Sequence, residues 1–420
     1  MAHDSAMNTT SKIVALSSAV AFALQIALAL LMLRYFSPEE VGMFSVISQI
    51  GFFWTTLALA QAPLRLLANH GASVFDDARQ AWVSSLQRFV WLSPVAALAV
   101  WWSGLSFVNA LLWALLLSLC HLTWMLAQSM RLRMVHPRAQ VGVRVLPPLM
   151  ALLVATAAVY MQWDGPALLT AALLGYAIGA SWLLPALLTF WRGKFGNLST
   201  KPDETAIPSA LQDPSHVAIA SVSGDNRSAT LRMTHTLADA LLATAIVVVW
   251  QRLYGAQETG WMAAPLRVMG FVPAVVHMAW AQVLLAQPQH ARTNPLWVGL
   301  GGVACVALLG AGCAVALEMG WLGEHWHGVW PYLLPLVVWQ GSACLVAAFS
   351  HLPFHKQSAR GFSWMCITAA ILQGIVLFVP VLTEILLTSS NHMAWFAGVS
   401  AASFCAIYLR LRQFERKLTK

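Results

Sequence analysis

Charged side chains are scarce in this sequence. Asp, Glu, Lys and Arg make up 10% of its 420 residues, whereas a water-soluble domain carries about 25%. That shortage excludes an ordinary soluble fold. Cysteine is also sparse: Cys120, Cys305, Cys313, Cys344, Cys366 and Cys405 all lie inside apolar runs, with no CxxC pair and no clustering with histidine. They read as small core hydrophobes, which excludes a disulfide framework and a zinc site. No H-E-x-x-H occurs, so no metal is expected. The formal charge of +8 could suggest nucleic acid, but the basic residues form no single patch. Residues 1–12 lead into an apolar run with no small-residue cleavage site before Arg34, so a retained first helix is expected rather than a signal peptide.

What is abundant is apolar. Hydrophobic residues make up 59% of the chain and the mean hydropathy is +0.68. Runs of ~20 apolar residues, the length that crosses a bilayer, recur throughout. The pattern predicts an all-α polytopic membrane protein of about twelve helices. In the first half these fall near Ile13–Leu33, Val41–Leu67, Ser84–Trp102, Phe107–Gln128, Val145–Met161 and Ala167–Phe190. In the second they fall near Leu237–Trp250, Gly260–Leu285, Leu296–Leu317, Val329–Phe349, Phe362–Leu382 and Ala394–Tyr408. Between the halves, a segment with Pro202, Pro208 and Pro214 and several Ser and Asp breaks the periodicity and reads as a flexible linker. The expected organisation is a six-helix lobe over 1–191, a linker over 192–233, a second six-helix lobe over 234–410 and a basic tail over 411–420.

Orientation follows from Lys and Arg. Arg79, Arg131, Arg133, Arg138, Arg144, Arg192, Lys194, Arg292, Lys356, Arg360 and the basic tail lie on the side of the N-terminus. The other side holds only Arg34 and Arg252 among the basic residues. Both termini are therefore expected in the cytoplasm.

One stretch occurs twice. Arg34-Tyr-Phe-Ser-Pro-Glu-Glu-Val-Gly42 aligns without a gap on Arg252-Leu-Tyr-Gly-Ala-Gln-Glu-Thr-Gly260, matching Arg34 with Arg252, Glu40 with Glu258 and Gly42 with Gly260. Each copy sits between two apolar runs, and six crossings separate them. An even number restores orientation, so the lobes are parallel repeats about an axis along the membrane normal, with a central cavity between them.

The first copy, extended through Met43 and Phe44, resembles the first-loop signature of bacterial polysaccharide flippases. These are the O-antigen and exopolysaccharide exporters of the multidrug/oligosaccharidyl-lipid/polysaccharide superfamily. The second copy, Tyr254 to Arg267 with Pro273 after it, is similar to the same family's helix 7–8 signature. The resemblance implies an inner-membrane transporter that moves an undecaprenyl-pyrophosphate-linked oligosaccharide from the cytoplasmic to the periplasmic leaflet by alternating access. It implies no cofactor and no catalysis, with possible coupling to a proton or sodium ion. It also implies work beside a polymerase and a chain-length regulator, here by a monomer. A drug/cation antiporter of the same superfamily stays open, as does an integral-membrane glycan ligase or glycosyltransferase.

A pyrophosphate leaving water needs cations, and arginine suits bidentate phosphate contacts. Arg267, amid apolar residues, is the leading cavity candidate, with Gln49 its counterpart in the first lobe. Trp54, Ala58, Gln61 and Arg65 form a stripe at helical spacing, with anchoring at the interface as Arg65's structural alternative. Arg88 leans further toward anchoring. His277 and Gln282 are further cavity candidates, although a polar interhelical contact is the plainer reading of His277. Asp239, an acid within an apolar span, is the candidate for ion coupling or charge pairing. Arg34, Glu40, Gly42, Arg252, Glu258 and Gly260 are either turn and helix-start chemistry or a periplasmic gate.

Overall fold

The computed structural model describes residues 2–68, 73–134, 137–163, 165–188, 226–277, 294–355, 359–383 and 387–416. Every regular element among them is helical. Lobe one comprises α1 (Ala2–Tyr35), α2 (Pro38–Leu59), α3 (Ala62–Ala68), α4 (Val74–Trp91), α5 (Ser93–Ser103), α6 (Phe107–Arg133), α7 (Pro137–Tyr160) and α8 (Ala167–Ser181). Lobe two comprises α9 (Asn226–Val276), α10 (Pro295–Glu318), a 3₁₀ turn (Glu324–Val329), α11 (Trp330–Phe349), α12 (Ala359–Thr383) and α13 (Ser389–Arg416).

Nine of these helices are long and apolar enough to cross a membrane, or ten if the bent pair α4–α5 is one span. The expected twelve is reached when the 40-residue Leu237–Val276 segment is divided at its break and the shorter apolar helix Ala167–Ser181 is counted. The chain is a multi-pass membrane protein.

Three expected boundaries move. The polar stretch before the third span is already helical from Val74, and the span bends by 48° between α4 and α5. Pro94 has no N–H for the Val90 carbonyl. The Ser93 hydroxyl donates to that oxygen instead, at 2.8 Å. Helix α9 starts at Asn226, inside the expected linker, and 192–225 lies outside the described residues. Helix α13 runs through Arg416, so the expected tail begins as helix, with Leu411 packed at 1% exposure.

The ends of α2 follow from its sequence. Ser37 and Glu40 form a reciprocal capping box, with Pro38 in the first turn and both Glu39 and Glu40 at the positive end of the helix. Ala60, at φ 47° and ψ −114°, ends it. Apolar residues surround α2 on every side, which marks a helix enclosed by others. Among the described helices its packing against α9 is the most extensive of any pair.

Where α2 and α9 cross, both signature glycines are at the contact. A Cβ on Gly42 would strike the Ala256 carbonyl and stand 3.0 Å from Gly260 N. A Cβ on Gly260 would strike the Pro38 carbonyl and stand 2.9 Å from Pro38 Cα. Gly255, at φ 84° and ψ 178°, breaks α9 just before this point, a backbone state that side chains disfavour. The two copies of the repeat therefore clasp each other, backbone to backbone. Other ties hold the same end shut. Trp326, fully buried, donates from Nε1 to the Phe36 carbonyl at 3.3 Å, and Arg34 donates to the Trp321 carbonyl across the lobes. At the other end, Arg133 pairs with Asp77 at 2.6 Å within lobe one.

Glycine-to-alanine changes test the clasp. Gly42→Ala and Gly260→Ala should each destabilise the purified protein by about 1–3 kcal/mol, the usual scale of overpacking, read as a lower thermal midpoint in detergent. Gly374→Ala and Gly398→Ala, where nothing stands within 4 Å of the new Cβ, should leave the midpoint unchanged or raise it.

Candidate functional site

Away from the clasp the lobes part around a cavity of about 940 Å³. Lobe one contributes the face of α2 that carries Ser45, Gln49 and Phe52, residues three and four apart and so stacked on one side. Lobe two contributes both arms of α9 together with α11, α12 and α13. The cavity extends to His235, His277 and Phe362, at the end of the bundle that the charge distribution assigns to the cytoplasm.

Arg267 lies seven residues past Gly260, about 10 Å from the clasp at ~1.5 Å per residue. It reaches across to lobe one. Its Nη2 donates to Ser48 Oγ at 3.2 Å, and its guanidinium carbon stands 4.7 Å from the centroid of the Phe44 ring. These partners fix the side chain without neutralising it. The ion pairs among the described residues are Arg133–Asp77 and His235–Asp239, and neither involves Arg267. A positive charge without a carboxylate, held in a wall of low dielectric, attracts an anion strongly.

The remaining polar lining is poised to hydrogen-bond. Ser45 Oγ and Gln373 Nε2 are buried, line the cavity and have no hydrogen-bond partner among the described residues. Their residues are 4% and 2% exposed. Buried polar groups without partners are uncommon and call for an explanation. Gln340, 6% exposed, lines the same space.

At the open end, His235 Nε2 stands 3.0 Å from Asp239 Oδ2, one helical turn along α9. His235 precedes the apolar span, which starts at Leu237. Burial disfavours its charged form, but the Asp239 carboxylate and Cys366 outweigh that and raise it to about 10. His277 Nδ1 is 3.0 Å from Ser350 Oγ nearby.

The structure therefore brings Arg267, Gln49, Asp239 and His277 into one cavity, and adds Ser45, Gln340, Gln373 and His235. Sequence reasoning missed these four, although a lone glutamine or serine in an apolar run is a usable signal. His235 joins the site through its pair with Asp239. Gln282 lies outside the described residues.

Four candidates from lobe one do not line the cavity. Trp54 is 2% exposed, stacks on Phe89 at 4.1 Å and donates from Nε1 to the Phe89 carbonyl, inside lobe one. Gln61 and Arg65 follow the break at Ala60, so the stripe predicted from helical spacing does not continue past α2. Arg88 donates to Ser85 Oγ at 3.2 Å within α4.

The signature charges divide by type. Glu40 accepts hydrogen bonds from Ser37 N and Ser37 Oγ, both at 2.9 Å, and so serves its own helix start. Glu258 accepts from the Tyr332 hydroxyl within lobe two. The arginines face the opposite lobe. Arg34 reaches the turn after α10, and Arg252 Nη1 lies 3.5 Å from the position of a Cβ on Gly104, in the turn after α5. Gly104 and Gly320 both hold left-handed backbone there, at φ 77° and 68°. Among the described residues neither signature arginine forms an ion pair with a carboxylate of the other lobe. Each arginine instead meets a helix-ending turn of the other lobe, where carbonyl oxygens give the negative end of a helix dipole.

No family model and no curated protein matches the sequence. Among solved structures, the chain is similar to the lipid II flippase MurJ in an inward closed conformation. The TM-score is 0.56 at 10% identity, covering 96% of this chain and 86% of that one. It is also similar to an inward-facing multidrug resistance MATE family transporter of the MOP superfamily, with a TM-score of 0.49 at 10% identity over 94% and 96% of the two chains. At these identities the first likeness establishes the fold.

Thiol labelling tests the cavity. In a variant without the six native cysteines, Gln49→Cys and Gln340→Cys should react with a hydrophilic thiol reagent applied from the cytoplasmic side. Ala58→Cys, at a fully buried position on α2, should stay unlabelled until the protein is denatured.

Proposed function

We propose that this protein is a transporter of the bacterial inner membrane that moves a lipid-linked oligosaccharide from the cytoplasmic to the outer leaflet by alternating access. The observation that carries the reading is Arg267, a cation without a counter-charge, facing a cavity that is clasped at one end. A polyprenyl diphosphate supplies the missing anion. Its diphosphate would sit against Arg267, with Gln49, Ser45 and Gln340 donating to the remaining oxygens. The polyprenyl chain can remain in lipid between the lobes. No covalent step is required.

The fold supports transport in general terms, since a solved structure that it resembles is a flippase. O-antigen, capsule or exopolysaccharide as the cargo, and a polymerase and chain-length regulator as neighbours, rest on the signature windows. The antiporter reading fares worse on charge. A cationic drug needs a free carboxylate, and Asp239, the acid lining the cavity, is engaged by His235.

Opening the far side requires both arginine contacts to part as the lobes turn about the clasp, while the His235–Asp239 end closes. That end is where a coupling ion would act. We assign Asp239, with His235, to carrying the proton or sodium ion that drives the cycle.

Two measurements on proteoliposomes or export-reporter cells test this reading. Arg267→Ala should lower glycan translocation at least ~10-fold, the effect of losing one charge-assisted contact. Arg267→Lys should retain part of the activity, because the charge remains without the bidentate geometry. Wild-type translocation by Arg267→Ala would remove the anion site from the mechanism. Separately, wild-type transport should respond to an imposed proton or sodium gradient. Asp239→Asn should keep slow ungated exchange yet lose that response, and an unchanged response would exclude coupling at this pair.

A further inference from the structure

Opposite Arg267, lobe one presents a row of aromatic rings drawn from three helices. Phe52 of α2 faces His121 of α6, with ring centroids 5.9 Å apart and planes at 27°. His121 stacks on Tyr176 of α8 at 4.7 Å and 14°. Tyr176 in turn stacks on Trp124 of α6 at 5.4 Å and 26°. The chain builds this row deliberately. Trp124 is anchored by its Nε1 donating to the Val143 carbonyl at 2.8 Å, and its ring fills the space where Gly179 has no side chain. Gly175 lets α8 approach the Pro147 backbone, with a Cβ position 2.7 Å from that carbonyl oxygen. Tyr176 stands between those two glycines.

One end of the row lies at the cavity: Phe52 lines it and is 47% exposed, and the Tyr176 hydroxyl behind it lies within electrostatic range of Arg267. These rings also differ from the aromatic core. Trp54, Trp250, Trp326 and Tyr332 are at most 2% exposed, whereas His121, Tyr176 and Trp124 are only partly buried. The polar edges differ too. In lobe two, the Tyr332 hydroxyl donates to Glu258, and the Tyr254 hydroxyl meets His392 Nδ1 at 3.0 Å. Tyr176 and His121 have no hydrogen bond to protein among the described residues. A terrace of near-parallel rings with free polar edges, beside an unpaired cation, matches a sugar. The weakly positive axial C–H faces of a pyranose rest on the negative faces of aromatic rings, and its hydroxyls take up polar edges.

We infer that Phe52, His121, Tyr176 and Trp124 form a subsite for the pyranose rings nearest the diphosphate. The inference rests on the transport reading above. Its consequence is a division of labour: Arg267 in lobe two binds any polyprenyl diphosphate, and the ring terrace in lobe one distinguishes a glycosylated carrier from a bare one. Closing the lobes around both parts couples recognition of the glycan to the conformational change.

The test compares two probes on the full-length protein in nanodiscs: a polyprenyl diphosphate without sugar, and the same lipid carrying a disaccharide. The wild type should bind the glycosylated probe at least ~10-fold more tightly, the scale of one or two ring contacts. Tyr176→Ala should lose most of that increment while binding the bare lipid as the wild type does, which also reports an intact fold. Tyr176→Phe should keep the stacking part. Phe52→Ala, at an exposed position, should reduce the increment even if Tyr176→Ala fails to fold. Arg267→Ala should weaken both probes equally. If Tyr176→Ala and Phe52→Ala bind both probes as the wild type does, the terrace is not a sugar subsite and the transport reading survives. If the wild type binds neither probe, the transport reading falls and the subsite with it.

Discussion

The two lobes meet where α2 and α9 cross with no side chain between their backbones, and much else follows from that contact. Gly42 and Gly260 are the residues that permit it. A close backbone crossing at one end of a helix pair fixes a pivot, and the helices can separate only by diverging from it. The cavity lies on the diverging side, with Arg267 and Gln49 each seven residues beyond the glycine of their own repeat. Symmetric placement relative to the pivot thus puts the guanidinium and the amide in one space at similar depth. The chain uses a repeated turn to build one hinge from two halves.

The contacts around the pivot are of a kind that can be exchanged. Arg34 and Arg252 meet turns of the opposite lobe rather than carboxylates. Breaking a buried ion pair leaves an uncompensated charge and costs several kcal/mol. A guanidinium leaving a carbonyl at the edge of the bundle can be rehydrated, at a net cost of about 1–3 kcal/mol. The acids of the same signature stay within their own lobe, Glu40 in a capping box and Glu258 on Tyr332. Each signature therefore separates a group that maintains its own lobe from one that bridges to the other. Such a pattern tolerates two arrangements of the lobes, because neither lobe loses its internal bonds when the bridge opens.

Much of the fold was legible in the sequence because bilayer spans depend on long apolar runs, and those read clearly. Twelve such stretches, the all-α class and the parallel repeat could all be taken from hydropathy and from Arg34, Glu40 and Gly42 with their counterparts. Legibility ended where local backbone events decide. Ala60 at positive φ ended α2 one residue before Gln61, which detached the stripe from Trp54 to Arg65 that helical spacing had joined. The bend after Trp91 shows only as Ser93-Pro94, and α9's start at Asn226 has no apolar signal at all. In the site, charges were easier to find than amides. Arg267 and Asp239 stood out against apolar neighbours, whereas Ser45, Gln340 and Gln373 needed the packing to show that they share a cavity. The ring terrace was invisible for a different reason. Its members come from three helices with no sequence spacing in common, so only the tertiary contact between α2, α6 and α8 assembles it.

Buried polar atoms without a partner occur in several parts of the molecule, and those on Ser45 and Gln373 line the cavity. Around the clasp, Trp326, Tyr332, Tyr254 and His392 are all partnered. A tightly packed joint cannot carry unpaired polar groups without losing stability. In the cavity Ser45 and Gln373 are buried without partners and Arg267 has no counter-ion, and beside it Tyr176 and His121 have free edges. Apolar residues at those positions would make a more stable lobe. Retaining these polar groups in and beside one space at that cost is understandable if a ligand satisfies them together. A ligand with an anionic centre and a hydroxyl-rich ring beside it does so, and its apolar chain needs no site in the protein at all.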